Sequence, residues 1–125
     1  MTINDLIVYV DSMVPNQLDY TYKRLWLNEV EGLIYREIVL THERAEEISY
    51  TNYGSNTDQA TQLIAPEPYC DVYRFYLESK IAQANGEMNH YNNAATSFNA
   101  AWQTFQDYWN RTHMPIQQAK VIKVV

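Results

Sequence analysis

Residues that break helices are scarce in this chain. Among 125 residues there are three glycines and four prolines, too few for a sandwich or barrel, whose short strands need frequent turns. A single cysteine, Cys70, excludes an intrachain disulfide and fits a reducing compartment. Set in an apolar helical turn, it reads as a buried structural thiol rather than a reactive one. Positive charge is thin as well. Nine Lys and Arg stand against 15 Asp and Glu, a formal net charge of −6, and the cations are scattered. Phosphate binding needs clustered Lys and Arg, so specific nucleic-acid binding is not expected. No apolar run approaches the ~20 residues needed to span a bilayer. The opening residues lack a basic region and carry Asp5, unlike a secretory signal. The expectation is a soluble protein made in the cytoplasm, with no membrane partner.

Catalytic signatures are missing too. There is no Gly-x-Ser-x-Gly, no Gly-rich phosphate loop, and no His assignable to Cys70. Glu87 and His90 have the Glu-x-x-His spacing of di-metal helical bundles. Those sites need a second such pair, and His42 and His113 have no acidic residue three positions before them. The expectation is no enzyme, no cofactor and no metal; a ferritin-like enzyme rests on those two residues alone. Asn110-Arg-Thr112 forms a glycosylation sequon by chance.

What is abundant is tyrosine, eleven in all, distributed over stretches with helical periodicity. The length suits a single domain over residues 1–125 with a core of its own. A first short helix starts at Thr2 or Asn4 as N-cap, with Leu6, Ile7, Val10, Met13 and Val14 as its apolar face, and stops at Pro15. Asn16 or Asp19 caps a second helix over about 18–40. Its stripe is Leu27, Val30, Ile34 and Ile38, widened by Tyr22, Trp26 and Leu33, with Glu29, Glu31, Arg36 and Glu37 on the outer side. Gly32 inside it suggests a close helix crossing.

Residues 41–62 are harder to assign. HERAEE at 42–47 prolongs the helix or forms a short piece of its own; about 49–62 is a long polar loop with a weak hairpin around Asn52 to Asn56 as one option. Its tyrosines, Tyr50 and Tyr53, look exposed. Loops this long in small domains either function in binding or assembly, or are simply mobile.

A third helix starts at Pro66-Glu67-Pro68, with Tyr69, Val72, Tyr73, Tyr76, Leu77, Ile81 and Ala84 as its core face. Asn85-Gly86 signals its end, and the chain then reverses into a fourth helix; one continuous helix through Gly86 is the alternative. In the fourth helix Met88, Tyr91, Ala95, Phe98, Trp102, Phe105 and Trp109 follow one another at steps of three and four, a single stripe. Pro115 stops it. Residues 116–125 form an extended tail, β-branched at Val121, Ile122, Val124 and Val125 and carrying Lys120 and Lys123. It frays, or it adds as a strand to a neighbouring element, and docking is favoured. The fold class is therefore all-α, a four-helix bundle with a C-terminal helical hairpin. Tyr50, Tyr53, Lys120, Val121, Ile122 and Val124 are the candidate interaction residues.

Five blocks carry a resemblance: TrpLeuAsnGluValGluGlyLeuIleTyrArgGluIle at 26–38, LeuIleAlaProGluProTyrCysAspValTyr at 63–73, HisTyrAsnAsn at 90–93, PheAsnAlaAlaTrp at 98–102 and AsnArgThrHisMetPro at 110–115. In wording and order they resemble the head–tail connector (neck adaptor) proteins of tailed phages and prophages of Gram-positive bacteria. The resemblance covers about three quarters of the chain. The chain departs from it at Cys70, where a polar or acidic residue is usual, and in the length of the 41–62 loop. It implies a structural virion protein that forms a ring homo-oligomer. That ring would bind the portal and the next tail protein at the head–tail junction and line the DNA exit channel. An acidic wall would keep DNA from adhering. The runner-up is a small cytoplasmic prophage-encoded interaction or regulatory module with no virion role.

Overall fold

Thr2 starts α1, Ile3–Met13, through a capping box: its hydroxyl accepts from Asp5 N at 3.1 Å, and its own N–H donates to the Asp5 carboxylate at 3.2 Å. The structure, a computed structural model, describes residues 1–116. Past Pro15, Asn16 holds the turn by accepting from Leu18 N at 3.1 Å, and Asp19 stands at the N-cap position of α2, Tyr20–Ile34. The helix continues as one π turn, Tyr35–Val39, in which Leu40 N donates to Tyr35 O at 2.9 Å. A 3₁₀ turn at Ala45–Glu47 follows, then a long irregular segment, then α3, Asp71–Ala84, and α4, Met88–Thr112. The chain is all-α: no strand occurs among the described residues, only two isolated antiparallel bridges, Thr2 with Gln62 and His42 with Pro115.

The core joins all four helices. Ile3, Leu6, Ile7 and Val10 of α1 meet Leu27, Val30 and Ile34 of α2 and Ile38 of the π turn; Val72, Tyr73, Leu77 and Ile81 come from α3 and Phe105 and Trp109 from α4. The four-residue stripe expected on the second helix is buried throughout. Its expected widening is not: Tyr22 is 54% and Leu33 39% exposed. Met13 and Ala84 are likewise outside the core, and Ala82 takes the inward position on α3 instead.

Glu31, assigned to the outer side from its charge, is completely buried. The spacing Leu27, Glu31, Ile34, Ile38 places it in the middle of the apolar stripe. Tyr73 Oη donates to Oε1 at 2.6 Å, while Tyr53 Oη and Ile64 N donate to Oε2 at 2.8 and 2.9 Å. Tyr73 Oη in turn accepts from Ala65 N at 2.7 Å, and Cys70 Sγ donates to Ala65 O at 3.4 Å. A buried carboxylate is tolerated only when its lone pairs are so occupied. This network also explains why α3 begins at Asp71 and not at Pro66. Residues 65–70 fold back in turns onto Tyr73, with Tyr69 N donating to Pro66 O at 2.7 Å and a cis Glu67–Pro68 bond.

Gly86 ends α3 and settles the question of one helix or two. Its φ is +73°, its N–H donates to Gln83 O at 3.2 Å, and Glu87 N donates to Ala82 O at 2.9 Å. That pair of bonds is a Schellman motif, so α4 returns antiparallel along α3. Gly32 has a different role from the one expected. A Cβ there would meet Arg36 Nη2 at 2.8 Å and Tyr50 Oη at 3.5 Å, so a guanidinium and a phenol lie over it rather than another helix.

Gly86→Ala should lower stability by about 1 kcal/mol, because a Cβ is strained in the left-handed region; a urea melt should show a lower midpoint at unchanged slope. Tyr73→Phe should be far worse, about 3 kcal/mol, since it strands Ala65 N–H and one oxygen of Glu31 together. Burial raises the Glu31 carboxyl above its ordinary range, while its bonds from Tyr73, Ile64 and Tyr53 pull the other way. The folded chain therefore keeps this proton at pH values where the unfolded chain has released it. The stability this group contributes is complete below the ordinary carboxylate range and falls as pH rises through the folded value. The stability of the wild type minus that of Glu31→Gln should accordingly decline from acid to neutral pH in matched denaturant melts.

Candidate interaction surfaces

The loop tyrosines do not face outward. Asn28, on α2, accepts from Tyr53 N at 2.8 Å and from Tyr50 Oη through the same side-chain oxygen. Tyr50 packs between Tyr35 and Tyr53, with ring centroids 5.4 and 5.5 Å away. Tyr53 then reaches Glu31. Both rings are half-buried, and burial beside Glu31 holds the Tyr53 hydroxyl well above its ordinary range. The expected weak hairpin is replaced by a turn in which Gly54 N donates to Thr57 Oγ1 at 2.8 Å and Thr57 N to Gly54 O at 3.0 Å. The segment's exit is clamped to α1 by Ile3 N on Thr61 O and Leu63 N on Met1 O. Tyr50 and Tyr53 thus fasten the loop to α2, half-buried rather than exposed as expected. The signal for this was Asn28 and Glu31, two polar residues three apart on one helix face.

Exposed apolar surface lies elsewhere. On α2, Tyr22, Leu25 and Leu33 are 54%, 49% and 39% exposed, and Leu40 lies beyond the π turn. Leu33 and Glu37 form one wall of a groove of about 260 Å³, and Phe98, Asn99 and Trp102 of α4 form the other. Phe98 and Trp102, expected in the core stripe, are half-buried; Met88, at the start of the same stripe, is 60% exposed. The stripe is covered at its far end, where Phe105 and Trp109 are buried. On α1, Val8 and Met13 are 58% and 48% exposed. A second groove of about 290 Å³ runs between Pro68, Tyr69, Asp71 and Phe75 on one side and Ser97, Ala100, Ala101 and Thr104 on the other.

The C-terminal end of α4 is tied to the end of α2. His42 is buried; its Nδ1–H donates to Ile38 O at 2.6 Å, and its Nε2 meets the Asn110 side-chain amide. Glu43 N donates to Met114 O and Ile116 N to Thr41 O, at 2.8 and 2.9 Å. Lys120, Val121, Ile122 and Val124, named from the sequence as contact residues, lie outside the described residues.

Glu87 and His90 stand at the exposed start of α4, 3.8 Å apart. No group of three His, Cys, Asp or Glu side chains able to hold a metal ion occurs among the described residues. Cys70 is buried, and its thiol is pushed up by that burial. No helix of the described residues is long and apolar enough to cross a membrane.

Asn28→Ala should speed amide exchange across residues 50–57 while leaving α3 and α4 protected. The loss of two hydrogen bonds to the loop is about 1–3 kcal/mol of local stability. Compared with protein-family models, with curated proteins and with solved structures, the chain shows no match.

Proposed function

We propose that this chain is a structural subunit of a tailed-phage head–tail connector, a ring that joins portal to tail around the DNA exit channel. The reading rests on the sequence blocks given above and on one structural observation. Exposed apolar residues are divided between separate elements, Val8 and Met13 on α1 and Tyr22, Leu25 and Leu33 on α2. A closed ring of identical subunits is built from such unlike patches, one meeting the other on the next copy. The net charge of −6 suits a wall past which DNA must slide, since like charges repel. The other reading, a small prophage-encoded interaction module, draws on the same open grooves and expects the chain to remain a monomer that binds a host protein.

Light scattering of the purified chain over a wide concentration range tests this directly. A discrete, large, closed assembly is expected. Val8→Glu and Leu25→Glu should each abolish it without unfolding the subunit, because both positions are exposed. An equimolar mixture of the two variants should form dimers only, since just one intact pairing of unlike patches remains. A monomer at every concentration, with no binding to a portal ring, would leave the interaction module as the better reading.

A further inference from the structure

One guanidinium of this chain shows what aromatic rings and a carboxylate hold together. Arg74 lies over the rings of Phe75 and Tyr9, its Cζ 4.8 and 5.6 Å from their centroids, and its Nε donates to Glu78 Oε2 at 2.8 Å. The groove between α2 and α4 has the same parts without the cation. Phe98 and Trp102, four apart on α4, line it with ring centroids 5.8 Å apart, and Leu33 of α2 and Glu37 of the π turn form the opposite wall. Glu37 is exposed and enters no ion pair among the described residues. Two neighbouring cations are engaged elsewhere: Arg36 lies over Gly32, and Lys80 sits 3.9 Å from Glu29 and 5.4 Å from the centroid of Tyr76.

We propose that this groove receives an arginine side chain of a partner protein, its guanidinium stacked on Trp102 and donating to Glu37. Size agrees. At about 260 Å³ the groove is smaller than the roughly 300–1,000 Å³ of small-molecule sites, and it suits one long side chain. Chemistry selects arginine over lysine. A guanidinium is planar and weakly hydrated, so it stacks on an indole and grips a carboxylate with two parallel N–H bonds, whereas an ammonium gives up more hydration and has no fork. Asn99, on the same rim, offers an amide oxygen to a remaining N–H. The net charge of −6 draws a basic segment in from a distance. The chain's own arginines are committed. Arg44 and Arg74 are in ion pairs, Arg36 covers Gly32, Arg111 donates to Tyr69 Oη at 3.5 Å, and Arg24 is half-buried. The occupant is therefore assigned to a different protein. The proposal does not depend on the connector reading, since a subunit of either kind has the same groove.

Titrating N-acetyl-arginine amide into the full chain, with the Trp102 indole resonance as readout, tests it. A saturable shift of that resonance is expected. N-acetyl-citrulline amide, of the same shape but uncharged, should bind about tenfold more weakly. Glu37→Gln, at an exposed position, should weaken arginine binding by about the same factor and leave the helical spectrum and thermal melt unchanged. No saturable shift overturns the proposal, as does citrulline binding equal to arginine or a Glu37→Gln chain that binds as well as the wild type. N-acetyl-lysine amide binding as tightly as arginine overturns it too, because the groove then takes any cation. A Trp102 shift on concentrating the chain without ligand, removed by Arg36→Gln or Arg111→Gln, assigns the occupant to a second copy and overturns it equally.

Discussion

A carboxylate with no access to water has to be surrounded by donors, and in this protein that requirement ties distant parts of the chain together. The donors to Glu31 come from a loop tyrosine, a loop amide and a tyrosine of α3. One side chain thereby fixes the 49–65 segment and α3 against α2. The arrangement is demanding. Each donor removed leaves charge without solvation, which is why such groups are weak sources of net stability but strong selectors of one packing over others. The tyrosine-rich composition follows from it in part: Tyr73 supplies a hydroxyl where the rest of its ring is core, and Tyr53 supplies one from a half-buried ring packed against that core.

The helices are unequal, and the inequality decides where surface remains open. With 25 residues α4 is roughly 37 Å long against roughly 21 Å for α3. Antiparallel packing from the Gly86 turn therefore covers only the first part of α4 with α3. The remainder is met by the turns at 65–70, where Tyr69 stacks on Tyr108 at 4.3 Å, and by the end of α2 through His42 and Asn110. Phe98, which meets Tyr76 of α3 at 5.5 Å, and Trp102 are only half covered, which is how a helix with a continuous aromatic stripe comes to border a groove.

Much of this was legible from periodicity and punctuation. The stripe of Leu27, Val30, Ile34 and Ile38, the Thr2 cap, the stop at Pro15 and the hairpin at Gly86 each follow from local rules that the folded chain obeys. The failures share a cause. Glu31 lies inside because its spacing from Leu27 and Ile34 outweighs its charge, and Leu33 and Tyr22 lie outside because, although apolar, they sit off the stripe. The two loop tyrosines turn toward α2 because Asn28 and Glu31 accept from them, a tertiary contact that loop composition does not encode. The start of α3 moved by a few residues because a tertiary tie to Tyr73 overrode the helix-starting tendency of Pro66 to Pro68. Of the interaction surfaces, the groove between α2 and α4 was not legible at all, since it depends on two helices running side by side without closing.

The π turn at Tyr35–Val39 works as a phase shifter. One residue inserted into an α-helix rotates everything after it by about 100°. Here the rotation buries Ile38 and Val39 side by side and then aims His42 at Asn110. The pairing of residues 41–43 with 114–116 follows from that aim. The place where residues 114–116 meet the end of α2 is thus set by a single extra residue some eighty positions earlier in the sequence. A change of one residue in the length of 35–39 would undo the pairing of 114–116 without touching those residues.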